Sequence, residues 1–143
     1  MKKINFKKIL KKRSPYIIAE IGVNHENNFF KAEKMIRQAK LGGADAVKFQ
    51  TYKADLLASK KSPYYWDLKK VSIKSQYDLF KKFDKFNESD FIKLKKICDK
   101  YKITFCSTPF DSQSALFLNK LVPFFKIASA DFTNLPLIDL VCS

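Results

Sequence analysis

Short apolar runs recur along the chain, each closed by polar residues, and helical spacing fills the intervals. Ser14-Pro15 disfavours helix and launches Tyr16–Ile21, an apolar run interrupted by Glu20 and followed by Gly22 and the polar Asn24-His25-Glu26. Ala46–Thr51, Ile103–Ser107 and Phe124–Ala128 repeat the design and predict three further strands. Ala32, Met35, Ile36 and Ala39 fall on one face of a predicted helix over Phe29–Leu41, which Gly42-Gly43 stops. Phe91, Leu94, Ile97, Cys98 and Tyr101 mark a second helix, capped by Asn87 with Asp90 at its third position. Shorter helices are predicted over Gln76–Phe83, Ser112–Leu121 and Leu135–Val141. The rest of residues 52–86 reads as a long excursion whose Tyr64-Tyr65-Trp66 cluster serves loop packing.

The order β-α-β-(loop)-α-β-α-β-α implies parallel strands with right-handed crossovers. Such units build either an open doubly wound sheet or part of an eight-stranded barrel. Polar residues at the C-terminal end of every strand favour the barrel, where barrel enzymes place their sites. A full barrel takes about 250 residues. The expected fold is therefore α/β, the N-terminal half of a TIM (β/α)8 barrel with about four parallel βα units over residues 15–143, after a basic leader at 1–14.

Composition narrows the function. Hydrophobic residues at 46% and aromatics at 15% exclude a disordered chain, and no apolar run is long enough to span a bilayer. Of a net charge of +14, seven basic residues lie in Met1–Arg13, which leaves +7 on the remainder. Arg13 and Arg37 are the only arginines, although arginine suits bidentate phosphate and base recognition. The charge reads as a lysine-rich solvated surface, with neither nucleic acid nor membrane as partner. The leader lacks the apolar core of a secretory signal. Cys98, Cys106 and Cys142 match neither a disulfide framework nor a zinc spacing, and the cytoplasm is the expected compartment.

The candidate chemistry lies on the strands. Lys48 and Gln50 stand two apart and share one face, while Val47 and Phe49 share the other. Lys126 repeats the pattern within Phe124-Phe-Lys-Ile, with Ser129 and Asp131 just beyond. Two lysines and the hydroxyls of Ser107, Thr108 and Ser129 at one barrel mouth suit a phosphate or carboxylate. Glu20 and Asp131 are the carboxylates available for proton transfer. His25, the single histidine, cannot build a two-histidine metal site and reads as a hydrogen-bonded structural residue. Three glycines in all exclude glycine-rich phosphate loops.

Four motifs in order, Ala19-Glu-Ile-Gly-Val-Asn-His25, Val47-Lys-Phe-Gln-Thr51, Ser107-Thr-Pro-Phe110 and Lys126-Ile-Ala-Ser-Ala-Asp131 followed by Asn134-x-Pro136-Leu137, closely resemble the sialic acid synthase family. That family includes N-acetylneuraminate, legionaminic and pseudaminic acid synthases and spore-coat polysaccharide relatives. The resemblance implies a (β/α)8 barrel that condenses phosphoenolpyruvate with an N-acetylated sugar aldehyde and releases phosphate, giving a nonulosonic acid. It implies a divalent metal, manganese or magnesium, that polarises the aldehyde, and a homodimer of the full-length protein. By motif, Lys48, Thr108, Lys126 and Ser129 would hold phosphoenolpyruvate and Gln50 the sugar, with Glu20 and Asp131 as acid/base and orienting carboxylates. Asp131 stands where many neuraminate synthases carry Glu. The family's two metal-binding histidines and its antifreeze-like domain lie beyond the matched part. A fragment of a full synthase is thus expected, or a catalytically inactive half barrel that binds phosphate compounds or pairs with another chain.

Overall fold

The structure is a computed structural model describing Ile9, Lys11 and residues 14–143. The basic leader at 1–14 falls almost entirely outside the described residues. Three strands form one parallel sheet: β1 (Ile18–Gly22), β2 (Ala46–Thr51) and β3 (Thr104–Pro109), in the order β1-β2-β3. Helix α1 (Phe29–Leu41) connects β1 to β2. After β2 come the one-turn α2 (Ala54–Leu57), α3 (Gln76–Phe83) and α4 (Glu88–Lys100), which leads into β3. Beyond β3 lie α5 (Ser112–Leu118), a 3-10 turn at Ser129–Asp131 and α6 (Leu135–Cys142).

Local chemistry accounts for the boundaries. Asn28 caps α1 by accepting from the Lys31 amide, and the predicted capping box of α4 forms between Asn87 and Asp90. The first strand starts two residues later than predicted. Ile17 is held instead by Asp45, whose carboxylate accepts from the Ile17 amide at 2.8 Å. One face of the sheet packs under α1 and α4. Ile21, Val47, Phe49 and Phe105 meet Ile36 and Leu94 there, all at most 2% exposed. Burial of such apolar area is the main stabilising term.

The predicted fourth strand is absent. Residues 124–128 make no ladder with β3, whose outer edge is unpaired among the described residues, so three parallel strands stand where about four were expected. Phe125 instead packs half-buried against the core beneath the helices, and Lys126 is exposed. An apolar run reports burial, and burial against helices does not require pairing. The excursion after β2 is closed by an antiparallel bridge between Pro63 and Ser75. Its aromatic cluster is loop packing: the Trp66 indole donates to the Ile73 carbonyl at 2.9 Å, and Tyr65 meets Trp66 edge-on. Among the described residues no helix is long and apolar enough to cross a membrane.

Candidate functional site

The central strand β2 gives its two faces different duties. Val47 and Phe49 point into the core, while Lys48 and Gln50 occupy the more open face and are only partly buried. The register sets Glu20 of β1 opposite Lys48, and Thr108 of β3 opposite Gln50. Four of the predicted residues therefore share one face of three adjacent strands. The Lys48 ammonium forms an ion pair with Oε2 of Glu20; the lysine side chain is 12% exposed and the glutamate 49%.

Gly22 completes this corner. The ladder shifts register between Glu20 and Gly22, and Gly22 takes φ +56°, a left-handed conformation that favours glycine. A Cβ there would sit 3.3 Å from Oε1 of Glu20 and 3.6 Å from Nε2 of Gln50. The missing side chain thus leaves room for the second carboxylate oxygen beside the Gln50 amide.

Thr108 is 2% exposed, and its hydroxyl has no hydrogen-bond partner among the described residues. Asp131 is 9% exposed; its Oδ1 accepts from Asn134 at 3.4 Å, while Oδ2 is likewise unpartnered. An unsatisfied buried polar atom costs about 1–3 kcal/mol. Both orphaned atoms belong to residues singled out from the sequence. Lys126 and Ser129 are exposed, and no hydrogen bond or ion pair joins Lys126, Ser129 or Asp131 to the Glu20–Lys48–Gln50 group among the described residues. Ser107 faces away from the expected mouth. Strand alternation puts it with Phe105 on the core face, where its hydroxyl lies 2.7 Å from that of Thr51, so it does not line the mouth.

His25 is the structural residue expected. It is 2% exposed, stacks on Phe86 with ring centres 4.3 Å apart, and its Nδ1 accepts from the Asn27 amide at 3.2 Å. Burial, helped by the charge of Lys31, lowers its pKa to about 4. The unfolded chain takes up this proton near pH 6.5, so the stabilisation is present above that pH and is lost as pH falls toward 4. We expect the urea midpoint to drop between pH 7 and pH 4.5. A His25→Phe variant should lose that histidine-dependent part of the drop.

A second set of residues, unnoticed in the sequence, fixes the loops around the site. The Lys53 ammonium donates to the carbonyls of Asp84 and Phe86, each at 3.1 Å, and the Asp84 carboxylate accepts from the Ala54 amide. Asp111 caps α5, accepting from the Ser114 amide at 2.7 Å, and also accepts from the Lys53 amide at 3.2 Å. It thereby ties the exit of β3 to that of β2. Asp111→Ala is expected to destabilise the chain by about 2 kcal/mol in urea unfolding, at the upper end for a helix cap because a second amide loses its partner. A cleft of about 290 Å³ opens beside it, lined by Leu56, Phe110, Gln113, Asn134 and Leu137. None of the seven predicted site residues lines it.

The divalent metal that the resemblance implies does not fit the described residues. No group of three or more His, Cys, Asp or Glu among them is placed to hold a metal ion. The groups gathered on the open sheet face are an ammonium, an amide and a hydroxyl beside a carboxylate, a set able to hydrogen-bond and pair with an anion.

Comparison with known proteins gives the context. The NeuB family pattern matches residues 35–143. An uncharacterized protein of Methanocaldococcus jannaschii is 39% identical over 97% of this chain and 38% of its own length. The N,N'-diacetyllegionaminic acid synthase of Legionella pneumophila is 40% identical over 85% of this chain and 35% of its own. Among solved structures, the N-acetylneuraminic acid synthetase of Leptospira borgpetersenii in complex with citrate superposes with a TM-score of 0.70. It is 30% identical, over 87% of this chain and 40% of that one. The chain spans 35–40% of the length of the two named synthases.

Proposed function

The chain belongs to the NeuB family, and on that premise we propose that it forms the N-terminal half of a (β/α)8 barrel in a nonulosonic acid synthase. The reaction is the condensation of phosphoenolpyruvate with an N-acetylated sugar aldehyde, with release of phosphate. The observation that carries the reading is the Glu20–Lys48 pair beside Gln50 and Thr108 on one sheet face. Lys48 supplies a point charge, and Thr108 a buried hydroxyl with unused hydrogen-bonding capacity, for the phosphate or carboxylate of phosphoenolpyruvate. Lys126 and Ser129 join them from the segment after α5, and Gln50 offers its amide to the sugar. Glu20 and Asp131 are the acid/base and orienting carboxylates. C3 of phosphoenolpyruvate attacks the aldehyde carbon, water adds at C2, and the tetrahedral intermediate expels phosphate. The whole protein works in the cytoplasm as a homodimer. Its divalent metal takes ligands from outside the described residues.

A second reading draws on the outer edge of β3, unpaired among the described residues, and on the exposure of Lys126: an inactive half barrel that binds phosphate compounds or pairs with another chain. The test takes the product of the natural gene from its source cells. Its intact mass is measured, and phosphate release from phosphoenolpyruvate is followed with N-acetylmannosamine and with diacetamido sugars in the presence of manganese. A mass well above 16.6 kDa with turnover supports the synthase. A mass near 16.6 kDa without turnover favours the second reading.

A further inference from the structure

Lys48 and Glu20 are unequal partners. The lysine side chain is 12% exposed and stands on the same face as its register partner Cys106, which is fully buried. An ammonium so enclosed is costly without a counter-charge. The glutamate is 49% exposed and can return to water at little cost. Its second oxygen and the Gln50 amide both border the space that a side chain at Gly22 would fill, so the carboxylate has a place to turn without leaving the corner. The buried member is fixed and the exposed member is the one free to leave.

We propose that Glu20 is the resting counter-ion of Lys48, and that an incoming phosphoryl or carboxylate group must displace it to reach the ammonium. This rests on the reading of Lys48 as the anion-binding lysine and adds the competitor that sets its affinity. Glu20 thereby determines specificity. A ligand gains only what its own charge and hydrogen bonds provide beyond those of a carboxylate already in place. Displacement breaks no covalent bond; one ion pair is exchanged for another, and the freed carboxylate lies beside Gln50.

The experiment titrates the natural gene product with inorganic phosphate by calorimetry at low ionic strength. The wild type is compared with Glu20→Gln, Glu20→Asp, Lys48→Met and the double variant Glu20→Gln/Lys48→Met. Glu20→Asp keeps the negative charge but withdraws it by one methylene, so it separates local competition from the general field of an acidic residue. Both Glu20 variants should bind phosphate more tightly, Glu20→Gln by about 5-fold, in line with an ion pair with one partly exposed member. The gain should vanish when Lys48 is replaced. Tightening in Glu20→Gln alone, or in neither, overturns the proposal while leaving Lys48 as the anion site if Lys48→Met weakens binding. Phosphate binding that ignores Lys48→Met in both backgrounds overturns the anion-site reading, and the proposal with it. So does the absence of binding in every variant.

Discussion

Lys48→Ala in the natural gene product is expected to lower the rate of phosphate release by about 10²–10³-fold, the range for removing one charge-stabilising group from a reacting site. The fold should survive. The side chain leaves the partly open face of β2, while the core on the opposite face, built from Val47, Phe49 and their helical partners, is untouched. Glu20, half in water, loses only an ion pair. Far-UV circular dichroism and the urea midpoint should therefore stay close to wild type while turnover collapses. Unchanged turnover in a folded Lys48→Ala protein would remove this lysine from the chemistry and leave the sheet face without its cation.

Phe49→Ala acts on the opposite face of the same strand and should have the opposite signature. Phe49 is fully buried, its ring 5.6 Å from Phe105 and 5.9 Å from His25, at the junction of the sheet with the helices above it. Truncating such a ring costs about 3–5 kcal/mol through lost transfer energy and the cavity left behind. Domains are stable by only about 5–15 kcal/mol in total. Equilibrium urea unfolding should show the midpoint falling by more than about 1 M, with much of the protein recovered as aggregate at 37 °C. A loss below about 1 kcal/mol would mean that the ring is not the keystone its burial suggests.

The elements legible in the sequence are those with local causes. Helix α1 follows from four apolar positions on one face and a glycine pair beyond its end, and α4 from the Asn87–Asp90 box. Strand β2 follows from a period of two, which also placed Lys48 and Gln50 together. What escaped is non-local. Phe124–Ala128 has the composition of a strand, yet a strand exists only through a neighbour, and no neighbour is encoded in five residues. Ser107 and Thr108 are adjacent hydroxyls, and strand alternation separates them: one bonds Thr51 on the core face, the other lies opposite Gln50. The ties made by Lys53, Asp84 and Asp111 reach 30 to 58 residues along the chain and had no sequence signal. The direct contact of Glu20 with Lys48 depends on register, which periodicity does not carry. Strand patterning singled out these residues and the family resemblance gave them roles; the fold puts four of them on one face and leaves Lys126 and Ser129 exposed, with no bond to that group among the described residues.

The central place of β2 in the sheet also bears on how the chain finds its shape. Its ladder with β1 joins Ile18 to Ala46, and its ladder with β3 joins Ala46 to Thr104, spans of 28 and 58 residues. The entropy of closing a loop grows with its length, and parallel pairing has no tight turn to shorten it. The β1-α1-β2 unit is thus the less demanding closure, with α1 already capped and packed on it. Docking of β3 must await the whole excursion from Tyr52 to Phe86 and the helix after it. During synthesis Glu20 and Lys48 would meet while Thr108 is still to come. The charged half of the corner takes form first, and its hydroxyl arrives with β3.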